Sequence, residues 1–583
     1  MTADSHVRLD IRRPANGAAI PNAAGLRFRE AITVEAWVNV REARVEALQT
    51  IVGQWEPRTQ FDAFDAYDAG RTAGMDTTGF FGAVFDGRHV YFVPQHDAKD
   101  RHGRVLRYDT HGAFKAPASW GAYDAGHTDG LNTKGYYGAV FDGRFVFFVP
   151  RREPGRFHTR VLRYDTQSEF NAPQSWAACE VNSENRSYQS AAFDGRYIYF
   201  CPGHWAVPKG ELKSAPSSVS PAVTGLGSEH WQLGNSMVLR HDTRGGFKDP
   251  QSWTTFDAAN TSGLECCDYD GAAYDGRFVY FVPLSTGNAL RYDTRGEFQD
   301  KRSWLAHDIK PLGMKLAVGA VFDGRFVYYV PYGETEAVIR YDTRGPFDDA
   351  RSWSAYRYLQ TKAVTVRGFD GGFFDGRYVY FVPYTDGVGV FHCCVLRYDT
   401  SGAFDDPDSW TATDASQTDG LYTVGYNAGA SDGRFLYFAA WQDGATFPGS
   451  IVGHGRVLRY DTLGDNGSFS LRWCDYGHNG GLCAALPGPR FLVNTRQGAR
   501  SVAANRPPSP GRHHLAGVYD GNSIKLFLDG RLTNEQAATG PIVTNDLPLT
   551  VGPFDGEVER VRISDCPRPA PWIEAASKEH QPH

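Results

Sequence analysis

The sequence predicts an all-β protein whose larger part is a seven-bladed β-propeller. One pattern recurs seven times: GAVFDGRxVYFVP, a variable stretch, VLRYDTxGxF, then SW. A period of about 50 residues with several strands per unit is the mark of a propeller-type array. Aromatic residues make up 14% of the chain and 64 glycines punctuate it, as in a turn-rich all-β protein.

The elements of a repeat follow in order. GAVFDG is a first strand, A, that ends in an Asp-Gly turn, and RFVFFVP is a second, B, stopped by Pro150. VLRYDT is a third strand, C, and SWGAYDA a fourth, D. Short strands with Asp-Gly punctuation form antiparallel meanders. The A–B turns lie at Asp86–Arg88, Asp142–Arg144, Asp194–Arg196, Asp275–Arg277, Asp323–Arg325, Asp375–Arg377 and Asp432–Arg434. The C–D turns centre on Asp109, Asp165, Asp242, Asp293, Asp342, Asp399 and Asp461. The third repeat carries a Ser, Pro and Gly-rich insert between Pro202 and Val238, which reads as a loop and a candidate lid. Two segments compete to close the ring. Residues 63–69, AFDAYDA, match strand D yet precede the first strand A, and are favoured over LRWCDY at Leu471–Tyr476.

The repeat resembles a kelch-type blade. The resemblance rests on Tyr108-Asp109, Tyr292-Asp293 and Tyr398-Asp399 with Trp120, Trp304 and Trp410. Val93-Pro94 and Val149-Pro150 stand where that family has a double glycine, so the propeller is a divergent, kelch-like one. The flanks differ. EAWV near Trp37, HHLAGVYDG from His513 and FDGEVERVRI from Phe554 resemble a laminin-G or concanavalin-A-like jelly roll, in that family's order. Residues 480–497 resemble its middle strands. Neither flank buries a sandwich face alone. The expected organisation is therefore a jelly roll split by an inserted propeller: 1–58 and 479–583 as the two parts of the sandwich, 59–478 as the propeller.

A net charge of −7 argues against a dedicated nucleic-acid binder, and no apolar run is long enough to span a bilayer. The start, MTADSHVRLDIRRPANG, has no apolar signal core, so the expectation is a cytoplasmic protein or one exported by a non-Sec route. Nine cysteines at irregular spacing read mainly as free, packed thiols, with Cys474 and Cys483 spaced to bridge a loop.

Strand direction sorts the loops. The DGR and YDT turns share one face, nearly identical in every repeat, and read as scaffold. The D–A and B–C loops share the variable face, where function is expected. Three positions on strand A vary. Eight residues before the turn Asp stand Thr78, Lys134, Arg186, Cys267, Lys315, Arg367 and Val424. Six before it stand Phe80, Tyr136, Tyr188, Tyr269, Ala317, Phe369 and Tyr426. Five before it stand Phe81, Tyr137, Gln189, Asp270, Val318, Asp370 and Asn427. Guanidinium and phenol groups ringing a channel mouth suit a carboxylate, sulfate or phosphate ligand and a sugar face. The same aromatics equally suit packing between blades. The B–C loops add His96, His102, Arg151, Arg152, His158, His204, Tyr332, Tyr384, Trp441 and His454, with Trp205, His230 and Trp231 in the long insert as first choices for ligand contact. The ligand-binding candidates are thus Lys134, Tyr136, Arg186, Tyr188, Trp205, His230, Trp231, Tyr269, Lys315, Arg367 and Tyr426.

Cys266, Cys267, His392, Cys393 and Cys394 offer thiol and imidazole ligands for a transition metal, without any diagnostic spacing. Calcium is common in the jelly-roll family resembled, but Asp520, Asp529 and Asp555 also fit turns. No nucleotide-binding loop or nucleophile elbow is present. The primary expectation is a binding protein for a carbohydrate or other anionic ligand. The alternatives are a polysaccharide lyase or glycoside hydrolase using Tyr, His and Arg, and a protein–protein scaffold.

Overall fold

The computed structural model describes residues 5–580 apart from 16, 22–25, 41–48, 98, 183, 210–229, 363, 365, 388, 445–452, 475–483, 486–487, 505–507, 553 and 555. The chain forms two compact units. One comprises 1–60, 461–475 and 486–583, and the other 61–460 and 476–485.

The first unit is a two-sheet sandwich. One sheet runs Val7–Arg12, Gly556–Ser564, Ile32–Val40, Gly511–Tyr519, Ser523–Leu528 and Arg531–Ala537. The other runs Ala18–Ile20, Leu549–Val551, Gln49–Gly53, Phe469–Cys474, Gly488–Thr495 and Gly498–Ala503. Period-two alternation explains the central strand: Ile32, Val34, Ala36, Val38 and Val40 enter the core. Glu35 on its other face is fully buried, accepting two hydrogen bonds from Arg562 at 2.8 and 2.9 Å. The helix Ala570–Ser577 packs Ile573 on Ala516, Val518 and Phe527. Phe469–Cys474, expected within the propeller segment, is a sandwich strand between Gln49–Gly53 and Gly488–Thr495.

The second unit is a ring of seven blades, each built on a four-stranded meander. Their A strands are Phe80–Phe85, Tyr136–Phe141, Arg186–Phe193, Tyr269–Tyr274, Ala317–Phe322, Phe369–Phe374 and Tyr426–Ser431. Ala484–Ala485, expected from the sequence among the middle strands of the sandwich, instead adds a parallel strand to Val140 and Phe141 of blade two. Phe64–Asp68 pairs with Arg456–Asp461 as the outer strand of blade seven, so the N-terminal segment of this unit closes the ring. The two ends of the blade-three insert, expected from the sequence as loop, are strands. Strand B there extends over Tyr197–Pro208 and pairs with His230–Gly234 as a hairpin. Of the loop between Pro202 and Val238 that the sequence offers as a lid, residues 210–229 lie outside the described residues.

The same few bonds recur in most of the blades. In blade four Asp275 accepts the Arg277 and Phe278 amides at 2.8 and 2.6 Å and the Tyr280 hydroxyl at 2.7 Å. Arg277 in turn forks onto Asp293 at 2.7 Å. These two residues differ in worth. Asp275→Ala leaves three donors without their acceptor and is expected to cost about 2–4 kcal/mol. Arg277→Ala removes an exposed ion pair and is expected to cost under ~1 kcal/mol. Urea unfolding of the two variants measures the difference, and equal losses would contradict it.

Every A strand carries one irregularity that matters for the site. Its register against strand B slips between the residue six before the turn Asp and the residue three before it, as between Tyr136 and Ala139 or Tyr269 and Ala272. The residue four before the Asp has positive φ throughout: Gly82, Gly138, Ser190, Gly271, Gly319, Gly371 and Ala428. Glycine takes that conformation freely, and Ser190 and Ala428 adopt it at a cost. A bulge of this kind re-aims the side chain beside it. Here that is the residue five before the turn.

Candidate functional site

The bulges send that column into the middle of the ring. Tyr137 of blade two donates from its hydroxyl to Asp270 Oδ2 of blade four at 2.8 Å. Blade three stands between those two blades, so the bond crosses the channel. Gln189 of blade three donates its amide to the same oxygen. Asn427 of blade seven donates to Asp370 Oδ2 of blade six at 2.6 Å. Phe81 lies against Tyr137 with ring centroids 3.8 Å apart.

A second column sits beside the first, contributed by the residue nine after the turn Asp. It reads Gln95, Arg151, Gly203, Leu284, Tyr332, Tyr384 and Trp441. Tyr332 and Tyr384 stack at 5.9 Å, and the Trp441 ring meets Phe81 at 5.0 Å. Trp441 and Gln442 both donate to the Tyr384 hydroxyl, at 3.1 and 2.6 Å. Phe81, Tyr137, Val318, Tyr384, Ala428 and Trp441 form one apolar cluster, with Leu284 and Tyr332 against it. One side of the channel mouth is therefore aromatic.

The other side is cationic. The Arg151 guanidinium lies 4.2 Å from the Tyr137 ring centre and 5.4 Å from that of Phe81. Arg101, in the B–C loop of blade one, hydrogen-bonds Gln95 and borders Gly135 at the start of blade two. Neither Arg101 nor Arg151 has an ion pair among the described residues, whereas nearly every DGR arginine is forked onto a carboxylate. Burial, and then the charges of Arg152 and Arg151, push Arg101 down to about 9. Burial and Arg151 push Arg152 down to about 10. Three guanidinium groups thus repel one another at one edge of the mouth. Beneath them, burial raises Asp270 to about 7 against the opposing pull of Arg151 and Tyr137. Burial and the neighbouring Asp270 raise Asp370 well above the carboxylate range.

The candidates drawn from sequence are placed differently. Tyr136, Tyr188, Tyr269 and Tyr426 are fully buried and face away from the channel. Their rings meet Phe148, Phe200, Phe281 and Phe438 edge-on, and Tyr269 and Tyr426 donate to the carbonyls of Asn288 and Arg456. They are blade packing, because the bulge separates them by half a pleat from the channel column. The rim cations do not converge. Arg367 pairs with Glu336 at 3.0 Å and Lys315 with Glu334 at 3.4 Å. Arg186 pairs with Glu184, donates to Asn235 at 2.8 Å and lies 4.2 Å over Trp205. Lys134 lies along Gly126. Trp205 and Trp231 belong to the projecting hairpin, where Val207 pairs with Trp231 and Pro208 with His230. Sequence reasoning had the right loops but not the column after Val-Pro; its signal was a run of Arg, Leu, Tyr and Trp at a fixed offset from that dipeptide.

The metal candidates are not assembled. Cys266, Cys267, Cys393 and Cys394 are buried and form no disulfide among the described residues. Cys474 and Cys483 lie outside what is described of side chains. His392 donates to the backbone carbonyls of Arg367 and Gly368 at 2.9 Å and accepts the Cys394 amide at 3.3 Å, so both ring nitrogens are engaged. Among the described residues, the one group of His, Cys and carboxylate side chains close enough to share an ion is His6, Asp565 and Cys566 in the sandwich, where Asp565 already pairs with Arg8. Asp520 caps its own turn by accepting the Asn522 amide at 2.9 Å, Asp529 accepts the His514 amide of another strand at 2.9 Å, and Asp555 lies outside the described residues.

The chain has likenesses among solved structures: a crystal structure of the Mitotic Checkpoint Complex (8% identity, 70% of this chain and 97% of that one, TM-score 0.41); YjhT (10%, 63% and 97%, 0.35); and the Cps50 (Swd1) β-propeller domain of Myceliophteria thermophila (12%, 66% and 97%, 0.37). No curated protein matches the chain in sequence. Residues 448–574 match the family described as the Concanavalin A-like lectin/glucanases superfamily. The repeated part is a propeller by its own sheet topology, and the C-terminal part is a concanavalin A-like domain.

Proposed function

We propose that the protein binds an acidic carbohydrate at the mouth of the propeller channel. The observation that carries this reading is the pair Arg101 and Arg151, two guanidinium groups without an ion pair among the described residues, beside an aromatic wall. Guanidinium groups fork onto carboxylates and sulfates, and an aromatic face stacks on a sugar ring. The two needs of a uronate, an anion partner and a flat apolar surface, meet within one mouth. The concanavalin A-like domain adds a fold widely used for carbohydrates, which is support by analogy.

Calorimetric titration with uronate oligosaccharides tests the reading. Arg101→Ala and Arg151→Ala are each expected to weaken binding at least tenfold, and added salt to weaken it further. Lys315→Ala, on the rim, is expected to leave it unchanged. Affinity that survives the Arg101→Ala, Arg151→Ala double change overturns the proposal. Release of unsaturated, ultraviolet-absorbing products from the same oligosaccharides would mark the mouth as a lyase site instead.

A further inference from the structure

We infer that the propeller channel holds a hard divalent cation of the calcium type, bound by Gln189, Asp270, Asp370 and Asn427. The inference rests on which atoms the channel network leaves over. Gln189, Asp270, Asp370 and Asn427 are 0, 3, 1 and 0% exposed. The amide groups of Gln189 and Asn427 point their NH2 at Asp270 Oδ2 and Asp370 Oδ2. Turning either amide over would set its oxygen against a carboxylate oxygen, so the orientation is dictated by the network itself. The Tyr137 hydroxyl donates to Asp270 Oδ2 as well. What remains is Asp270 Oδ1, Asp370 Oδ1, Gln189 Oε1 and Asn427 Oδ1, each buried without a hydrogen-bond partner.

The four leftover atoms are all oxygen, two of them on carboxyl groups. A buried carboxylate oxygen with no partner is costly. A single proton held between the two carboxyl groups would still leave two of the four oxygens without a partner. Arg151, the nearest cation, forms no ion pair with either carboxylate and is held over the Tyr137 ring. A set of carboxylate and amide oxygens without nitrogen or sulfur suits a hard cation, and calcium accepts irregular oxygen shells completed by water. The four ligands come from blades three, four, six and seven, so a bound ion would also tie the ring together across its centre. The site adjoins the guanidinium edge proposed above for the carbohydrate and shares no ligand residue with it.

Protein stripped with EDTA and titrated with Ca2+ is expected to take up one ion in the propeller. Terbium is expected to give luminescence sensitised by Tyr137 and its neighbours. Asp270→Asn and Asp370→Asn, which keep shape, are each expected to weaken uptake at least tenfold. Asp565→Asn, in the sandwich group, is expected to leave it unchanged. Gln189→Glu adds a third carboxylate and is expected to enlarge the rise in Tm on adding Ca2+, a gain that lost packing cannot produce. Uptake that survives the Asp270→Asn, Asp370→Asn double change overturns the inference, as does absence of stoichiometric uptake by the stripped protein. Uronate binding in the stripped protein separates this test from that of the carbohydrate reading.

Discussion

Lowering the pH from 7 to about 4.5 is expected to unfold the propeller, with four histidines as the cause. His102, His158, His392 and His454 stand two residues before strand C in blades one, two, six and seven. Each sends Nε2 to a carbonyl near the start of its blade: Thr78, Lys134, Arg367 and Val424 respectively, at 2.8 to 2.9 Å. Each takes an amide two residues on at Nδ1: Arg104, Arg160, Cys394 and Arg456, at 3.2 to 3.3 Å. A ring that donates at one nitrogen and accepts at the other must be neutral. Protonation would destroy the Nδ1 bond and place a charge in the packed wall of a blade. Burial first, and then Arg104, Arg160 and Arg456, hold His102, His158 and His454 at about 3, despite Asp97, Glu153 and Asp443 nearby. His392 is lowered too, chiefly by burial.

The sign follows directly. The unfolded chain takes up these protons near pH 6.5, and the folded chain near 3. Stability is therefore complete above about pH 6.5 and falls as the pH drops towards 3. At pH 5 each of the three histidines held near 3 contributes a loss of about 2 kcal/mol, and their sum approaches the whole stability of an ordinary domain. The chain supplies the control. Asn235 in blade three makes the same two bonds, donating to Ser187 at 3.3 Å and accepting Met237 at 3.0 Å. His158→Asn should keep the bracket and remove one of the proton-linked losses. Urea midpoints measured from pH 8 to 4 should then fall less steeply than in the parent. An unchanged slope would show that this histidine is not the source.

Trp304→Ala is expected to cost about 3–5 kcal/mol. Trp304 opens strand D of blade four and is 2% exposed. Its indole lies on Phe256 of blade three, 4.4 Å away and tilted by only 5°, and its Nε1 donates to Phe298 at 3.0 Å. The same staple recurs around the ring as Tyr67 on Trp120, Tyr123 on Trp176, His307 on Trp353 and Tyr356 on Trp410. Truncation therefore opens a cavity at a junction between blades and orphans a buried carbonyl. Trp304→Phe keeps the stacking surface and loses the hydrogen bond, so it should recover more than half of the deficit. Thermal unfolding with far-ultraviolet detection gives both numbers. An Ala variant within 1 kcal/mol of the parent would mean that the staple does not hold neighbouring blades together.

The repeat makes most of the architecture legible in the chain alone. Seven DGR turns and seven YDT or HDT turns imply seven meanders, and the ring has them. The EAWV and HHLAGVYDG segments point to a sandwich, where Trp37 and His514 face each other at 4.6 Å. The uniform turn face is readable as scaffold, since Asp275 and its equivalents cap their own turns. The site is legible only in part. Residues such as Tyr136 and Tyr137 are neighbours in sequence and both aromatic, and nothing in their types says which one meets the channel. Ordinary strand alternation leaves that choice open.

The chain's own contribution is thus local and repetitive: turns, strand lengths, blade number and the closing strand in Phe64–Asp68. Those follow from short-range chemistry, in which Asp and Gly stop a strand and alternating apolar residues fill one face. Convergence belongs to the folded ring. The bulge at each positive-φ residue turns Tyr137, Gln189, Asp270, Asp370 and Asn427 inward. Ring closure then brings together side chains more than a hundred residues apart, as with Tyr137 and Asp270. Distance along the chain carries no record of that meeting, because it is set by the curvature of the ring and not by any one blade.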